Sequence, residues 1–370
     1  MCCVSIPSGL RKFAWLLRLL SRCSSVATYP GLLLRWRERA TDGAHVKLAA
    51  LVYVDDILIS GPDVTDIELM IELIGRKYSC TRLGQVTEYL GLQIHRDDKQ
   101  RTMTICQRKM VQKIVQSHCD LIKPEKTPAP GGQVLEREED GKLCDEKKYR
   151  SLVGKLLYLS KMTRPDITTA VRELSQYLSK PEDKHWQAAL RVVGYLSATV
   201  DTALHFDGTG DMILEAHVDS AYAPYRSDRK SITGMIVRLG QCPVAWQSKK
   251  QGVVSLSSTE AEYIAMAHAT AEVMHLRSVL QDLTGNSGHM APTVIHEDNM
   301  GAIFIATNHV LGPRTKHIDV RYHFVKDAIE DGHVEVSFVR SKSNRADGMT
   351  KNLPLTEYKL GQVYWLGQRA

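Results

Sequence analysis

Residues 213–219 read ILEAHVD, and this short stretch decides the fold of the C-terminal part of the chain. Its residues alternate between apolar and polar from Leu214 to Asp219, which is the period of a β-strand with one buried face. The preceding block, residues 149–197, has helical spacing instead, so the period changes at about Met212. The sequence therefore predicts that a sheet begins here and that its first strand ends on a carboxylate.

The elements that follow alternate between strands and helices. The turn around Gly240 separates two strands, and a long helix is predicted over residues 259–283. Strands are predicted at 213–219, 231–239, 244–247, 253–256, 293–298 and 334–339, with further helices from 301, over 320–329 and at 347. The order reads βββ, α, β, α, α, β, α, which favours an α+β domain with a mixed sheet covered by helices.

Four acids stand where these elements begin or end. Asp219 and Asp298 close strands, Glu262 lies in the first turns of the long helix, and Asp347 begins a short terminal helix. They are far apart in sequence, so only tertiary folding can bring them together. Mg²⁺ prefers hard oxygen ligands, and two ions about 3.5–4 Å apart support phosphodiester hydrolysis. We predict that these acids are catalytic and hold two Mg²⁺ ions, for which Mn²⁺ can substitute.

The phase of the long helix indicates which glutamate faces the metals. Glu262 begins a stripe whose other members, Met266, Ala269, Val273, Leu276, Leu280 and Leu283, are apolar. Glu260 lies two positions away, roughly 200° round a helix of 3.6 residues per turn, and is expected to point elsewhere. The alternative is that Glu262 only completes a capping box with Thr259, in the S/T-x-x-E pattern.

Composition bounds the class of protein. The chain has 370 residues and a net charge of +6. At roughly 150 residues per domain this length predicts two or three domains, and the small excess of base is compatible with a polyanionic partner. The eight cysteines form no C-x-x-C pair, which argues against a zinc knuckle or disulfide framework and favours a reducing compartment. No small-molecule cofactor beyond metal ions is expected.

The N-terminal residues 1–45 are basic, since their arginines and lysines far outnumber Glu38 and Asp42. Such a block is typical of a disordered basic arm, and a mitochondrial transit peptide is the alternative. The apolar stretch 13–20 is interrupted by Arg18 and is too short to cross a bilayer. No membrane partner is therefore expected.

The pattern of acids resembles the ribonuclease H domain of copia-type retrotransposon Pol polyproteins. Residues 51–56, LVYVDD, resemble the reverse transcriptase of the same elements. Motifs similar to the family's connector lie between the two: YRSLVG at 149–154, LYL at 157–159, TRPDI at 163–167 and HW at 185–186. The resemblance runs from about Ala49 to about Leu355. It implies a partial reverse-transcriptase palm and thumb, a helical connector and a ribonuclease H-like mixed-sheet domain that cleaves RNA in RNA–DNA hybrids.

The polymerase motif Tyr53-Val54-Asp55-Asp56 is similar to the family's hairpin, in which the first aspartate binds metal and the second supports it. Two-metal nucleotidyl transfer needs a further aspartate from an earlier strand. Upstream of the motif this chain offers only Glu38 and Asp42. We therefore expect Asp55 and Asp56 to be a polymerase remnant, inactive unless a missing segment completes it.

A basic segment follows the predicted second nuclease helix and resembles a nucleic-acid contact of the family. Its candidate residues are Arg314, Lys316, His317 and Arg321, which would add salt-dependent affinity for phosphates. A solvated helix face is the alternative reading of the same residues. The histidine that many cellular ribonucleases H carry before the last acid is not found between Arg340 and Asp347.

We expect five segments along the chain. They are a basic N-terminal arm (1–45), a partial reverse-transcriptase palm and thumb (46–122), a linker and helical connector (123–204), a ribonuclease H-like domain (205–355) and a C-terminal tail (356–370). The predicted function is Mg²⁺-dependent cleavage of RNA–DNA hybrids. The alternatives are a non-catalytic nucleic-acid-binding relic and an RNA-directed DNA polymerase completed by a missing N-terminal segment, and the oligomeric state stays open.

Overall fold

The computed structural model describes residues 2–5, 32–38, 45–284, 290–308 and 319–368. The chain divides into two compact units. The first comprises Met1–Ile94 with Leu276–His289, and the second comprises His95–His275 with Met290–Ala370. The five predicted segments do not coincide with these units, and their boundaries stay a prediction.

Among its described residues, the first unit contains a five-stranded sheet, one complete helix and residues 276–284 of a longer helix. Its other elements are β1 (Cys2–Ser5), β2 (Leu32–Glu38), β3 (His45–Tyr53), β4 (Asp56–Ser60), α1 (Val64–Gly75), β5 (Thr81–Gln85), β6 (Glu88–Tyr89) and the first half of β7 (Leu92–Asp97). The sheet order is β2-β3-β4-β1-β5, with antiparallel pairs throughout. The predicted strand, turn and strand at residues 46–61 are thus confirmed. The N-terminal residues 1–45, predicted to be a disordered arm, instead supply two of the five strands.

Helix α1 covers one face of this sheet. Asp63 caps its N-terminus, since the Thr65 N–H donates to the Asp63 carboxylate at 2.8 Å. The apolar positions have helical spacing, so they form one stripe that packs on the alternating inward residues of β3 and β4. The buried cluster consists of Leu48, Ala50, Val52, Ile57, Ile59, Ile67, Met70, Ile71 and Ile74.

The second unit begins with connector elements and continues into a larger sheet. The connector elements are β8 (Thr102–Cys106), α2 (Arg108–Gln116), α3 (Glu146–Met162), α4 (Thr168–Ser175), α5 (Asp183–Ala198) and β9 (Leu204–Asp207). They are followed by β10 (Leu214–Ala221), β11 (Ile232–Leu239), β12 (Cys242–Lys250), α6 (Ser258–Thr284), β13 (Thr293–Glu297), α7 (Met300–Thr307), α8 (Asp319–Glu330), β14 (Val334–Phe338), α9 (Asp347–Thr350) and α10 (Leu355–Trp365). Residues 258–275 of α6 belong to this unit.

The larger sheet is mixed and has the order β12-β11-β10-β13-β14. Strands β10, β11 and β12 are antiparallel neighbours, whereas β13 runs parallel to β10 and β14 runs parallel to β13. The predicted α+β class and mixed sheet are confirmed. One predicted strand is wrong: residues 253–256 are irregular, and Leu256 is 75% exposed.

The connector and the mixed sheet share one hydrophobic core. Residues of α2 to α5 pack in a single cluster with Ile236 of β11, Met349 of α9 and Trp365 of α10. Residues 356–370, predicted to be a tail, therefore begin as a packed helix in which Trp365 is 1% exposed. The Trp365 indole N–H donates to the Arg345 carbonyl at 2.8 Å.

A buried ion pair anchors the connector motif at residues 163–167. The Arg164 guanidinium donates to both carboxylate oxygens of Asp166, at 2.9 and 2.8 Å, and also to the Thr199 carbonyl at 3.1 Å. Tyr195 donates to the Asp166 carboxylate at 2.6 Å, and Tyr358 of α10 donates to the Asp166 carbonyl at 2.9 Å. Because a buried charge needs such partners, the motif has a structural role in packing the connector.

Among the residues that the structure describes, no helix has the length and apolar character needed to cross a bilayer.

Candidate metal centre

Asp219 lies on β10, the central strand of the mixed sheet. Its backbone pairs with Gly234 of β11, and its side chain is buried, with 5% of the residue exposed. The Thr350 hydroxyl donates to Oδ2 of Asp219. Burial, together with the negative charge of Asp347, raises the pKa of Asp219 to about 7.

Glu262 lies one turn into α6, and its neighbour Glu260 caps the helix. The Glu260 N–H donates to the Ser257 hydroxyl at 3.1 Å, and the Leu256 N–H donates to Oε2 of Glu260 at 2.7 Å. Ser257 is therefore the residue that caps α6, two positions before Thr259, and the Glu260 side chain reaches back to the N–H of the residue before Ser257. The capping alternative for Glu262 is therefore wrong, and Glu260, though not on the apolar stripe, is buried by its capping role.

The Glu262 carboxylate is buried under the sheet edge, with 6% of the residue exposed. It accepts a hydrogen bond from the Ser220 backbone, while its Oε2 is buried without a hydrogen-bond partner. Burial, followed by the charges of Glu297, Asp219 and Asp298, raises the pKa of Glu262 to about 11. A carboxylate in this environment calls for a cation or a proton.

Asp298 follows the last residue of β13, directly after Glu297. Glu297 is fully buried, and its Oε1 accepts from the N–H groups of Asp298 and Asn299 at 3.1 and 3.0 Å. The Asn299 side chain in turn caps α7 by accepting from the Ala302 N–H at 3.0 Å. Burial, opposed by the Asn299 N–H and reinforced by the Asp298 charge, raises the pKa of Glu297 well above its usual range. Sequence reasoning missed this residue.

Asp347 begins α9, and the preceding loop fixes its position. The Asn344 amide donates to the Val218 carbonyl at 2.8 Å and accepts from the Ala346 N–H at 3.1 Å. Oδ2 of Asp347 contacts Nζ of Lys351 at 2.9 Å, whereas Oδ1 is buried without a partner. Burial raises the pKa of Asp347, although the Lys351 ammonium opposes the shift.

The structure brings the four predicted acids together in two overlapping groups. Carboxylate oxygens of Asp219, Asp298 and Asp347 lie within 4.8 Å of one another. A second group with the same spacing contains Glu262, Glu297 and Asp298. Asp298 belongs to both groups, so the two sets of ligand atoms meet at this residue. Such a pair of carboxylate groups could hold two neighbouring divalent cations.

Gly234 of β11 allows α9 to pack closely against the mixed sheet. A Cβ at this position would lie 2.6 Å from Cγ2 of Thr350 and 2.9 Å from Cβ of Met349. Both atoms belong to the short helix that carries Asp347. The absence of a side chain on β11 therefore positions one ligand of the first group.

We expect Gly234→Ala to push α9 outward and destabilise the fold by about 1–3 kcal/mol, as overpacked cores do. Denaturant unfolding measures this loss, and a lower stabilisation by Mg²⁺ should accompany it. The matched control is Gly210→Ala, because a Cβ at Gly210 meets no atom within 4 Å. Equal stability of Gly234→Ala and the control would contradict the packing argument.

The polymerase motif occupies the turn between β3 and β4. Val54 has φ of 50°, a left-handed conformation that is costly for a β-branched residue and occurs mostly at functional sites. Tyr53 pairs with Asp56 across the hairpin, and Tyr53 is 58% exposed. Asp55 and Asp56 therefore lie at a strained hairpin tip in the first unit.

The strand beside Asp56 offers no carboxylate. Strand β1 pairs with β4, with Ser5 opposite Asp56, and reads CCVS. Glu38, the acid of β2, pairs with His45, eight residues from Tyr53 along β3 and so roughly 26 Å away at about 3.3 Å per residue. Asp42 lies outside the described residues.

The predicted basic contact cannot be placed in the structure. Arg314, Lys316 and His317 lie outside the described residues, and Arg321 is described only as part of the backbone of α8. Their role in binding nucleic acid stays a prediction.

The chain is similar in sequence to proteins of reverse-transcribing transposons. The family model "Reverse transcriptase (RNA-dependent DNA polymerase)" matches residues 38–129. The retrovirus-related Pol polyprotein from transposon RE2 of Arabidopsis thaliana is 36% identical over 304 residues, which are 82% of this chain and 20% of that polyprotein. The putative transposon Ty5-1 protein of Saccharomyces cerevisiae is 30% identical over 236 residues, 64% of this chain and 76% of that protein.

The chain therefore belongs to the family of copia-type retrotransposon Pol polyproteins. It spans about a fifth of the length of the RE2 polyprotein. Among solved structures, RNase H1 of the halophilic archaeon Halobacterium salinarum matches 37% of this chain and 93% of its own length, with 15% identity and a TM-score of 0.27.

Proposed function

We propose that this chain is a ribonuclease H-type endonuclease that uses two Mg²⁺ ions to cleave the RNA strand of RNA–DNA hybrids. The observation that carries the proposal is the meeting of two carboxylate groups at Asp298. The ligands proposed are Asp219, Glu262, Asp298 and Asp347. Membership of a reverse-transcribing family supports a hybrid as the substrate, which a protein distinguishes by the 2′-hydroxyl on one strand only.

The side chains present fit divalent cations. Glu262 and Asp347 each retain a buried oxygen without a hydrogen-bond partner, and all the grouped atoms are hard carboxylate oxygens, which Mg²⁺ and Mn²⁺ accept. When bound, two such ions would lower the pKa of the attacking water and shield charge on the scissile phosphate.

The protein's own groups hold these ligands in place. The Thr350 hydroxyl donates a hydrogen bond to Oδ2 of Asp219 and thereby fixes the orientation of the Asp219 carboxylate. Asn344 fixes the loop before Asp347 through the Val218 carbonyl, next to Asp219 on β10. Lys351 stands 2.9 Å from Asp347, where its ammonium offsets part of the negative charge of the grouped acids. The arrangement is preorganised, which is what electrostatic catalysis requires.

We infer that the polymerase motif does not support nucleotidyl transfer by this chain alone. Asp55 and Asp56 lie in a hairpin turn, as the resemblance implies, but the adjoining strand β1 carries no acid. Two-metal transfer needs further metal ligands beside this turn. A second candidate function, RNA-directed DNA polymerisation, is favoured by the family match to residues 38–129 and requires a carboxylate supplied from elsewhere.

The metal-free chain should lose stability as pH rises, and Mg²⁺ should restore it. The pKa values of Asp219 and Glu262 are raised to about 7 and about 11. The folded state therefore retains protons that the unfolded chain has released above about pH 4, so stability falls as pH increases through this window. In EDTA the melting temperature should drop between about pH 5 and about pH 8. Millimolar Mg²⁺ at the higher pH should raise it by about 5 °C or more.

Cleavage of a labelled RNA–DNA hybrid by the full chain tests the proposed function directly. We expect cutting of the RNA strand with Mg²⁺, none in EDTA, and no cutting of duplex DNA. Hybrid binding without cutting, combined with melting curves that Mg²⁺ leaves unchanged, would favour a non-catalytic nucleic-acid-binding relic instead.

A further inference from the structure

Glu297 is a buried acid in which only one of the two carboxylate oxygens has hydrogen-bond partners. Its Oε1 accepts two backbone hydrogen bonds, from Asp298 and Asn299. Its Oε2 is buried and has no hydrogen-bond partner. The residue is fully buried, so water does not solvate the second oxygen. An uncompensated carboxylate oxygen in such a place is costly, and it calls for a partner.

Glu262 also has a carboxylate oxygen without a hydrogen-bond partner. Its Oε2 is also buried and without a hydrogen-bond partner, and oxygens of Glu262, Glu297 and Asp298 lie within 4.8 Å of one another. The oxygens are therefore close enough together to serve as ligands of one cation, and such a cation would supply the missing partner of both free oxygens. Trans ligands of an ion with bonds of about 2.1 Å stand about 4.2 Å apart.

Other charges do not occupy this position. Lys351 contacts Asp347 at 2.9 Å, and Asp347 belongs to the other group of acids. Among the described residues, no Lys or Arg ion pair within 4 Å of Glu262 or Glu297 is formed. Within the part of the chain that the structure describes, the negative charge of the second group is therefore not paired with a lysine or arginine.

We propose that Glu297 is a fifth carboxylate of the metal centre and shares one divalent cation with Glu262 and Asp298. Asp219 and Asp347 would hold the other cation, with Asp298 between the two. This inference rests on the metal centre of the proposed function and adds a ligand to it. A further charged ligand should tighten the binding of one ion, since carboxylate count tunes the affinity of such sites.

The test is a titration of the full chain with Mn²⁺ at about pH 8, in which the electron paramagnetic resonance signal of the free ion measures how much Mn²⁺ is bound. The wild type should bind two Mn²⁺ ions. Glu297→Gln should bind one of them at least about tenfold more weakly, because it loses the charged oxygen and keeps the Oε1 acceptor for the two backbone N–H groups. Glu260→Gln, which changes a buried glutamate outside both groups, should bind both ions like the wild type.

Melting in EDTA separates ligation from a purely structural role. The Glu297→Gln chain should melt at the wild-type temperature or higher, since a buried charge has been removed and the fold contacts remain. The double variant Glu262→Gln/Glu297→Gln should weaken the same one of the two Mn²⁺ ions further and leave the other ion near its wild-type affinity, because both residues serve one ion.

The outcomes distinguish this inference from the function on which it rests. Wild-type Mn²⁺ affinities in Glu297→Gln, or a loss in this variant that falls equally on both ions, would overturn the role of Glu297 and leave the four-acid centre standing. A wild-type chain that binds no Mn²⁺ would instead remove the metal centre itself, and the proposed function with it.

Discussion

Asp298→Asn should eliminate Mg²⁺-dependent cutting of an RNA–DNA hybrid, with a loss of about 1,000-fold or more in single-turnover rate. Asp298 is the acid that belongs to both carboxylate groups, so its replacement weakens both metal positions at once. Removing one preorganised group that stabilises transition-state charge typically costs about 100- to 1,000-fold. Single-turnover cleavage of a labelled hybrid, with enzyme in excess, measures the chemical step.

The matched control is Asp55→Asn in the polymerase turn. This variant should cut the hybrid at nearly the wild-type rate, because the first unit carries none of the four nuclease acids. The wild-type chain alone should also fail to extend a primer on an RNA template. Near-normal cutting by Asp298→Asn would refute the assignment of the metal centre. Primer extension that Asp55→Asn abolishes would refute the inference about the polymerase motif.

Glu262→Gln should lower hybrid cleavage by about 100-fold or more, whereas Glu260→Gln should retain most of it. Glu262 is one of the grouped acids, and glutamine cannot supply the charge that a cation requires. Glu260 accepts from the Leu256 N–H at the start of α6, a capping role in which glutamine is also favoured. The measurement is the rate of hybrid cleavage by each variant relative to the wild type, with the amount of folded protein determined by circular dichroism.

Equal losses in the two variants would show that the start of α6, rather than the Glu262 carboxylate, limits activity. Since both side chains are buried and stand two residues apart, the pair controls for local disturbance of the helix.

Helical and strand periods predicted most of the fold correctly. The period of two from Leu214 onward gave the central strand. The stripe that begins at Glu262 is buried as far as Val273, whereas Leu283 at its end is 37% exposed. These predictions succeed because each element buries one face, and burial leaves a periodic trace in the sequence. The strand predicted at residues 253–256 was wrong. A short apolar run there has the composition of a strand, but the segment pairs with no strand of the described sheets.

The missed residue Glu297 did leave a signal. In β13 the residues Thr293, Ile295 and Glu297 are buried and the two between them are not. The period of two therefore places an acid on the covered face of a strand, which is rare unless the acid has a partner. The distance from Glu297 to Glu262 could not be predicted, because the two lie on elements that only the tertiary fold brings together.

The C-terminal helix α10 makes the last residues of the chain part of what holds the centre in place. Trp365 binds the Arg345 carbonyl in the loop before Asp347, Gln362 donates to Tyr195, and Tyr358 reaches Asp166 in the connector. A reading frame that acquired a stop codon soon after Leu355 would still encode all four acids, yet its product would lack the support of Asp347. In a genome, such a copy would keep every catalytic motif, yet its product would lack the helix that supports Asp347, so motif searches alone would count an inactive copy as intact.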